Sequence, residues 1–168
     1  HFMPLCAMNP CKCGWFGHPS GRCRCTPAQV KRYLGKLSGP MLDRIDLFSE
    51  VPPLEFENLA DRSPGEPSAA IRARVTKARE RQSKRFGPDG PHCNAAMGQA
   101  EIRRFCALDD EGQALMKGAY EHMGLTARSY DRILRVARTI ADLDESENIQ
   151  THHLAEAIQY RETEYFSV

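Results

Sequence analysis

Between Thr126 and Leu143 the apolar residues Tyr130, Ile133, Leu134, Ala137, Ile140 and Ala141 recur at i, i+3 and i+4 spacing. Only an α-helix turns that period into one continuous apolar face, and Thr126 stands where its hydroxyl can cap the first turn. A face so complete demands other helices to cover it, and the neighbouring sequence supplies them. Ile102, Phe105 and Cys106 mark a short helix. Asp109-Asp-Glu opens another, with Leu115, Met116, Ala119, Tyr120 and Met123 as its stripe and Gly124 as its C-cap. Thr151 opens the last, with Leu154, Ala157 and Ile158 facing inward, while the adjacent His152 and His153 read as surface residues. Helices joined by such short loops predict a small antiparallel bundle over residues 68–168.

The first helix of that half, Ser68 to Phe86, carries a narrow stripe of Ile71, Val75, Ala78, Gln82 and Phe86. The remainder holds Arg72, Arg74, Lys77, Arg79, Arg81, Lys84 and Arg85 against Glu80 alone. Such a face either follows a phosphate backbone or is solvated and answered by acids elsewhere in the fold. Gly87-Pro-Asp-Gly90-Pro91 ends the helix.

Upstream, residues 57–67 lack periodicity and sit among Pro53, Pro64, Gly65 and Pro67, which makes them a linker. The expected first domain is residues 1–56. In it, Phe2 to Met8 reads as a short strand emptying into an Asn9-Pro10 turn, and Thr26-Pro-Ala-Gln29 is a capping box that starts a helix running to about Lys36. Ser38-Gly39-Pro40 begins a single helical turn over Met41 to Asp43, with Arg44 at its end. From Ile45 to Val51 the period is two, which predicts a strand stopped by Pro52 and Pro53. Arg44 either pairs with Asp43 or Asp46, as surface arginines commonly do, or offers a planar donor fork to a nucleotide phosphate.

Seven cysteines are present, and Cys11, Cys13, Cys23 and Cys25 fall within residues 11–25, a CxC, a Gly-rich loop and a second CxC. Two thiolates from each arm of a hairpin can complete a tetrahedral Zn²⁺ site, with His18 as a substitute ligand; the alternative is a tight Cys-rich turn without metal. Cys6, Cys93 and Cys106 read as small buried hydrophobes. Trp15 and Phe16 at the tip, with Lys12, Arg22 and Arg24 nearby, offer stacking plus charge to nucleic acid or an apolar contact to the parent domain.

These segments resemble the magnesium-chelatase-like AAA+ ATPases, specifically their ComM/YifB subfamily. LSGPMLDRIDLFSEVPPL (37–54) looks like the segment near the end of the ATPase core, GLTARSYDRILRVARTIADL (124–143) and HLAEAIQYR (153–161) look like the helical lid, and the Cys-rich stretch looks like the subfamily's NPCPCG box, from which Lys12 departs. The resemblance implies a mostly α chain, a C-terminal helical lid bundle preceded by the last strands of an incomplete α/β core that carries the Cys-rich hairpin. It further implies that Arg44 is an arginine finger, Asn9 the sensor-1 residue at the γ-phosphate, and Arg128 the sensor-2 arginine at the ATP phosphates, with Arg132, Arg135 and Arg138 as competitors on the same helix. ATP and Mg²⁺ are the implied cofactors of the parent protein, a hexameric ring its assembly and DNA its substrate, with ATP-driven branch migration in recombination and natural transformation as the activity. A magnesium-chelatase-type remodelling subunit and a zinc-bearing helical binding module are the alternatives.

Net charge of +1 excludes a global field for polyanions, so any basic patch must be local. No run of 18 apolar residues and no secretion leader is found, so the expected location is the cytoplasm, without a membrane partner. The chain starts at His1-Phe2 and lacks a GxxxxGK[ST] loop, since Gly35-Lys36 is preceded by Val30 and followed by Leu37 at the positions that matter. The expectation is therefore a piece of a longer ATPase, inactive alone for want of Walker A and Walker B segments.

Overall fold

A computed structural model of the chain describes residues 3–53, 63 and 65–161. Among these residues the structure is helical, with seven α-helices and one 3₁₀ turn and no strand. They divide into two compact units, residues 3–45 with 50–53, and residues 46–49 with 63 and 65–161.

In the first unit the backbone reverses through Gly14 (φ +82°), a conformation that costs a residue without Cβ least. Helix α1 (Pro27–Leu34) follows, and its start is the expected reciprocal cap. Thr26 Oγ1 accepts from the Gln29 amide at 3.3 Å, and Gln29 Oε1 accepts from the Thr26 amide at 3.0 Å. Its buried face, Val30 and Leu34, packs with Cys11 into a small core that Phe16, Cys23, Cys25 and Tyr33 border. The single turn α2 (Gly39–Leu42) has Pro near its start, where a missing N–H costs nothing.

The second unit is built around α6 (Ala127–Leu143), which packs against α3 (Ser68–Phe86), α4 (Gln99–Phe105), the 3₁₀ turn Asn94–Ala96 and α7 (Thr151–Gln159); α5 (Asp110–Met123) in turn packs on α7. Ala137 and Ala141 are wholly buried on α6, and their small side chains admit the neighbouring helices closely. Ile133, Leu134, Met116, Leu154 and Ile158 complete the core with Met97 and Ile102. Asp109 Oδ1 accepts from Gly112 N at 2.8 Å and Thr126 Oγ1 from Ser129 N at 3.1 Å, so both expected caps form. Gly124 closes α5 in the left-handed conformation.

Two expectations are corrected here. Neither Ile45–Val51 nor the described part of Phe2–Met8 forms a strand. A strand needs a neighbour to share its amides, and the Phe48 amide instead donates to Tyr160 O at 2.8 Å. His1 and Phe2, and most of the linker, lie outside the described residues. The apolar stripe of α3 is buried only in its second half, at Ala78 and Gln82, whereas Ile71 and Val75 stay 41% and 45% exposed.

Candidate functional site

Three groups of side chains carry chemistry. The first is the cysteine cluster. Cys11, Cys13, Cys23 and Cys25 bring their Sγ atoms within 4.8 Å of one another. Cys11 lies 3.3 Å from Cys13 and 3.9 Å from Cys23, and Cys13 lies 3.6 Å from Cys23. Four sulfurs at about 2.3 Å from one tetrahedral ion would stand about 3.7 Å apart, so the donor set and its spacing fit a metal ion. Backbone amides of Trp15 and Arg24, with the Cys11 thiol, bring the Cys13 thiol down to about 6. Cys23 goes the other way. The Cys25 amide favours its thiolate, but desolvation and the Cys13 and Cys11 sulfurs outweigh that and push it up to about 11. Within the cluster Cys13 thus favours the thiolate, whereas Cys23 and Cys25 favour the thiol. His18 does not join them; its Nδ1 accepts from the Ser20 amide at 3.0 Å and its ring sits edge-on to Trp15.

The second group comprises the arginines expected at phosphate. Arg44 is exposed in the first unit and donates from a guanidinium N–H to Pro40 O at 3.0 Å, a carbonyl one turn back. Asp46 pairs instead with Arg132 within the second unit. Asn9 is exposed before the Cys-rich loop, its side chain beside Gly14. Arg128 is exposed at the second position of α6, near the partial positive charge of the helix N-terminus. Its three competitors are occupied. Arg132 holds Asp46, Arg135 donates to Met97 O at 2.8 Å, and Arg138 donates to Glu147 O and Ser146 O at 2.7 Å each.

The third group was not foreseen. Asp142, wholly buried, accepts from Arg85 at 2.8 Å and from Asn94 Nδ2 at 2.8 Å, and lies 3.1 Å from the guanidinium of Arg138, itself only 2% exposed. Burial alone would raise the carboxyl's pKa; the hydrogen bonds from Arg85 and Asn94 and the charge of Arg138 hold it below the usual carboxylate value. Asn94 also donates to Thr139 Oγ1 and accepts Arg85, so the network ties α3, the 3₁₀ turn and α6 together. It takes Arg85 off the basic face of α3. Arg74 pairs with Glu66, Lys77 with Glu145, and Arg81 donates to Glu145 O, so four of the seven cations on that helix are answered inside the fold. The solvated reading of the helix prevails for those four. A polar residue on the apolar side of a helix, Asp142 four places after Arg138, was the sequence signal for this network. His153 is likewise buried rather than on the surface, because its Nδ1 accepts the Gln150 amide at 2.9 Å as a cap of α7.

Among the described residues no helix is long and apolar enough to cross a membrane. Residues 65–161 match the family model described as magnesium chelatase, subunit ChlI C-terminal, and residues 1–59 match the model described as magnesium chelatase, subunit ChlI. The chain is 44% identical to the uncharacterised protein YifB of Escherichia coli over 95% of its own residues and 31% of that protein's. It is 44% identical to the competence protein ComM of Haemophilus influenzae over 95% of its residues and 30% of ComM's, and 40% identical to YifB of Salmonella typhimurium over 95% and 31%. It thus spans about a third of the length of these curated relatives. With the helical unit matched over nearly its whole extent, the chain belongs to the magnesium chelatase ChlI C-terminal family, in its ComM/YifB-like branch.

Proposed function

We propose that the chain is the C-terminal part of a ring-forming, magnesium-chelatase-like AAA+ ATPase that acts on DNA, moving branched recombination intermediates at the expense of ATP. The observation that carries the reading is the contrast among the arginines. Arg44 and Arg128 stay exposed, Arg44 bonded to the Pro40 carbonyl, and among the described residues neither pairs with a carboxylate, whereas Arg132, Arg135 and Arg138 are partly or wholly buried and held by Asp46 or by backbone carbonyls. An exposed, always-charged donor fork suits a phosphate that arrives only with ATP.

In this reading Arg44 completes the ATP site of the adjacent protomer, in a ring we take to be hexameric, and neutralises charge developing on the transferred phosphoryl group. Asn9 orients the attacking water or the γ-phosphate by hydrogen bonding, and Arg128 contacts the phosphates from the lid. Mg²⁺ and the phosphate-cradling loop belong to the remainder of the parent protein. Cys11, Cys13, Cys23 and Cys25 would hold a structural Zn²⁺, which would brace the loop rather than take part in catalysis. The domain division follows the same reading, with residues 1–56 ending the ATPase core, 57–67 linking and 68–168 forming the lid.

The family descriptions also support a second reading, a remodelling subunit of the magnesium-chelatase type. ATP turnover by the complete protein, measured with and without branched DNA, separates the two. Stimulation by the branched substrate, stronger at low salt, is expected for the DNA motor. Turnover indifferent to DNA at every salt concentration would reject it in favour of the remodelling subunit.

A further inference from the structure

The first acidic residue of the chain is Asp43, so the 42 residues before it carry Lys12, Arg22, Arg24, Lys31, Arg32 and Lys36 with no acid to offset them. All six are exposed, and none takes part in an ion pair among the described residues. The near-zero net charge of the whole chain hides this local imbalance. Four cysteine sulfurs converge in the same unit, and a tetrahedral centre there would fix the loop that bears Lys12, Arg22 and Arg24. On that loop Trp15 is 37% exposed. The Arg22 guanidinium lies 5.0 Å above its ring, and the His18 ring stands edge-on at 4.8 Å. Among the described residues Trp15 stands outside the small core of this unit, with a cation stacked on its ring.

We infer that this knuckle is a binding surface for single-stranded nucleic acid, in which an unpaired base stacks on the Trp15–Arg22 pair and the neighbouring cations track the phosphates. Charge complementarity sets the class of ligand, because six unoffset cations spread over one loop and α1 fit a polyanion chain. The aromatic sets the strandedness, because a base inside a duplex has no free face to offer a tryptophan. Lys31 and Arg32 lie in the last turn of α1, whose opposite face, Val30 and Leu34, is committed to the core beneath the loop. The cations therefore sit on the side of the helix turned away from that core. The inference deepens the DNA-directed reading above by naming the surface that meets the strand.

Trp15 is the single tryptophan of the chain, so its emission reports directly on the surface. Titrating the intact chain with a short oligothymidylate should quench that emission, and the same oligonucleotide as a duplex should bind more weakly. Trp15→Ala should weaken binding, followed by anisotropy of a labelled strand, about tenfold, the scale of one stacked base; Trp15→Phe should restore most of it. Lys31→Gln with Arg32→Gln should leave the quenching at saturation intact and reduce the salt slope by about 1.4, roughly 0.7 per phosphate contact. Equal affinity for Trp15→Ala and the parent, or equal binding of strand, duplex and a sulfated polymer without bases, would overturn the inference in favour of charge alone. Saturable binding of an acidic protein surface with no quenching by the strand would overturn it as well. In the complete protein, DNA-stimulated ATP turnover that survives in Trp15→Ala with unchanged strand affinity would sink the knuckle surface and leave the motor standing. Strand binding at Trp15 without any effect of DNA on turnover would do the reverse.

Discussion

Arg138 and Asp142, one helical turn apart on α6, face each other at 3.1 Å in the interior, and Arg85 reaches the same carboxylate from α3. Two guanidiniums around one buried carboxylate make a cluster that tolerates loss of any member poorly.

Asp142→Ala should therefore destabilise the helical unit by about 3 kcal/mol or more, since it leaves the buried Arg138 and the partly buried Arg85 without their carboxylate. Chemical unfolding followed by circular dichroism reads this directly. The sign of the pH effect follows from the lowered carboxyl. Its contribution is fully present above the ordinary carboxylate value of 3.8 and fades as pH drops through the still lower folded value. The parent should lose stability in acid more steeply than Asp142→Asn, whose loss is already taken at neutral pH. Parallel acid profiles for the two would contradict the assignment.

Metal analysis of the purified chain should find one zinc per molecule. Replacing Cys23 and Cys25 with Ser should release it and destabilise the loop, because structural zinc contributes to folding outright. A folded, metal-free chain with four free thiols would remove the ion.

Arg128→Ala in the complete protein should weaken ATP binding by about tenfold or more, the effect of losing one charge-assisted hydrogen bond of about 1.5–3 kcal/mol. Arg132→Ala, four residues on, should leave ATP binding nearly unchanged and cost at most about 1 kcal/mol through the partly exposed pair with Asp46. Equilibrium binding of a fluorescent ATP analogue distinguishes them, and equal losses would deny Arg128 its special place.

Periodicity and caps were enough to find the helices, because Thr26, Asp109 and Thr126 satisfy their own first turns and Gly124 ends α5, all within four residues of sequence. The four cysteines stood out in sequence as a candidate ligand set beside the alternative of a tight turn, and it is the folded loop that brings their sulfurs together. What escaped were relations between distant residues. Asp142 looks like a polar interruption until Arg85, 57 positions earlier, is brought beside it. His153 looked exposed because its cap contact to Gln150 depends on how α7 begins rather than on residue type. The strand over Ile45–Val51 failed for a related reason. An alternating pattern states which face is apolar, but pairing needs a neighbour, and here Phe48 bonds to Tyr160.

The most direct test of the account is steady-state ATP hydrolysis by the complete protein carrying Arg44→Ala. An arginine that stabilises the transferring phosphoryl group contributes about 10³-fold or more to turnover. The variant should bind ATP and assemble as the parent does yet hydrolyse about a thousandfold more slowly. Adding protomers that keep Arg44 but cannot bind ATP should restore part of the rate. Turnover at the parental rate in Arg44→Ala would contradict the account at its centre.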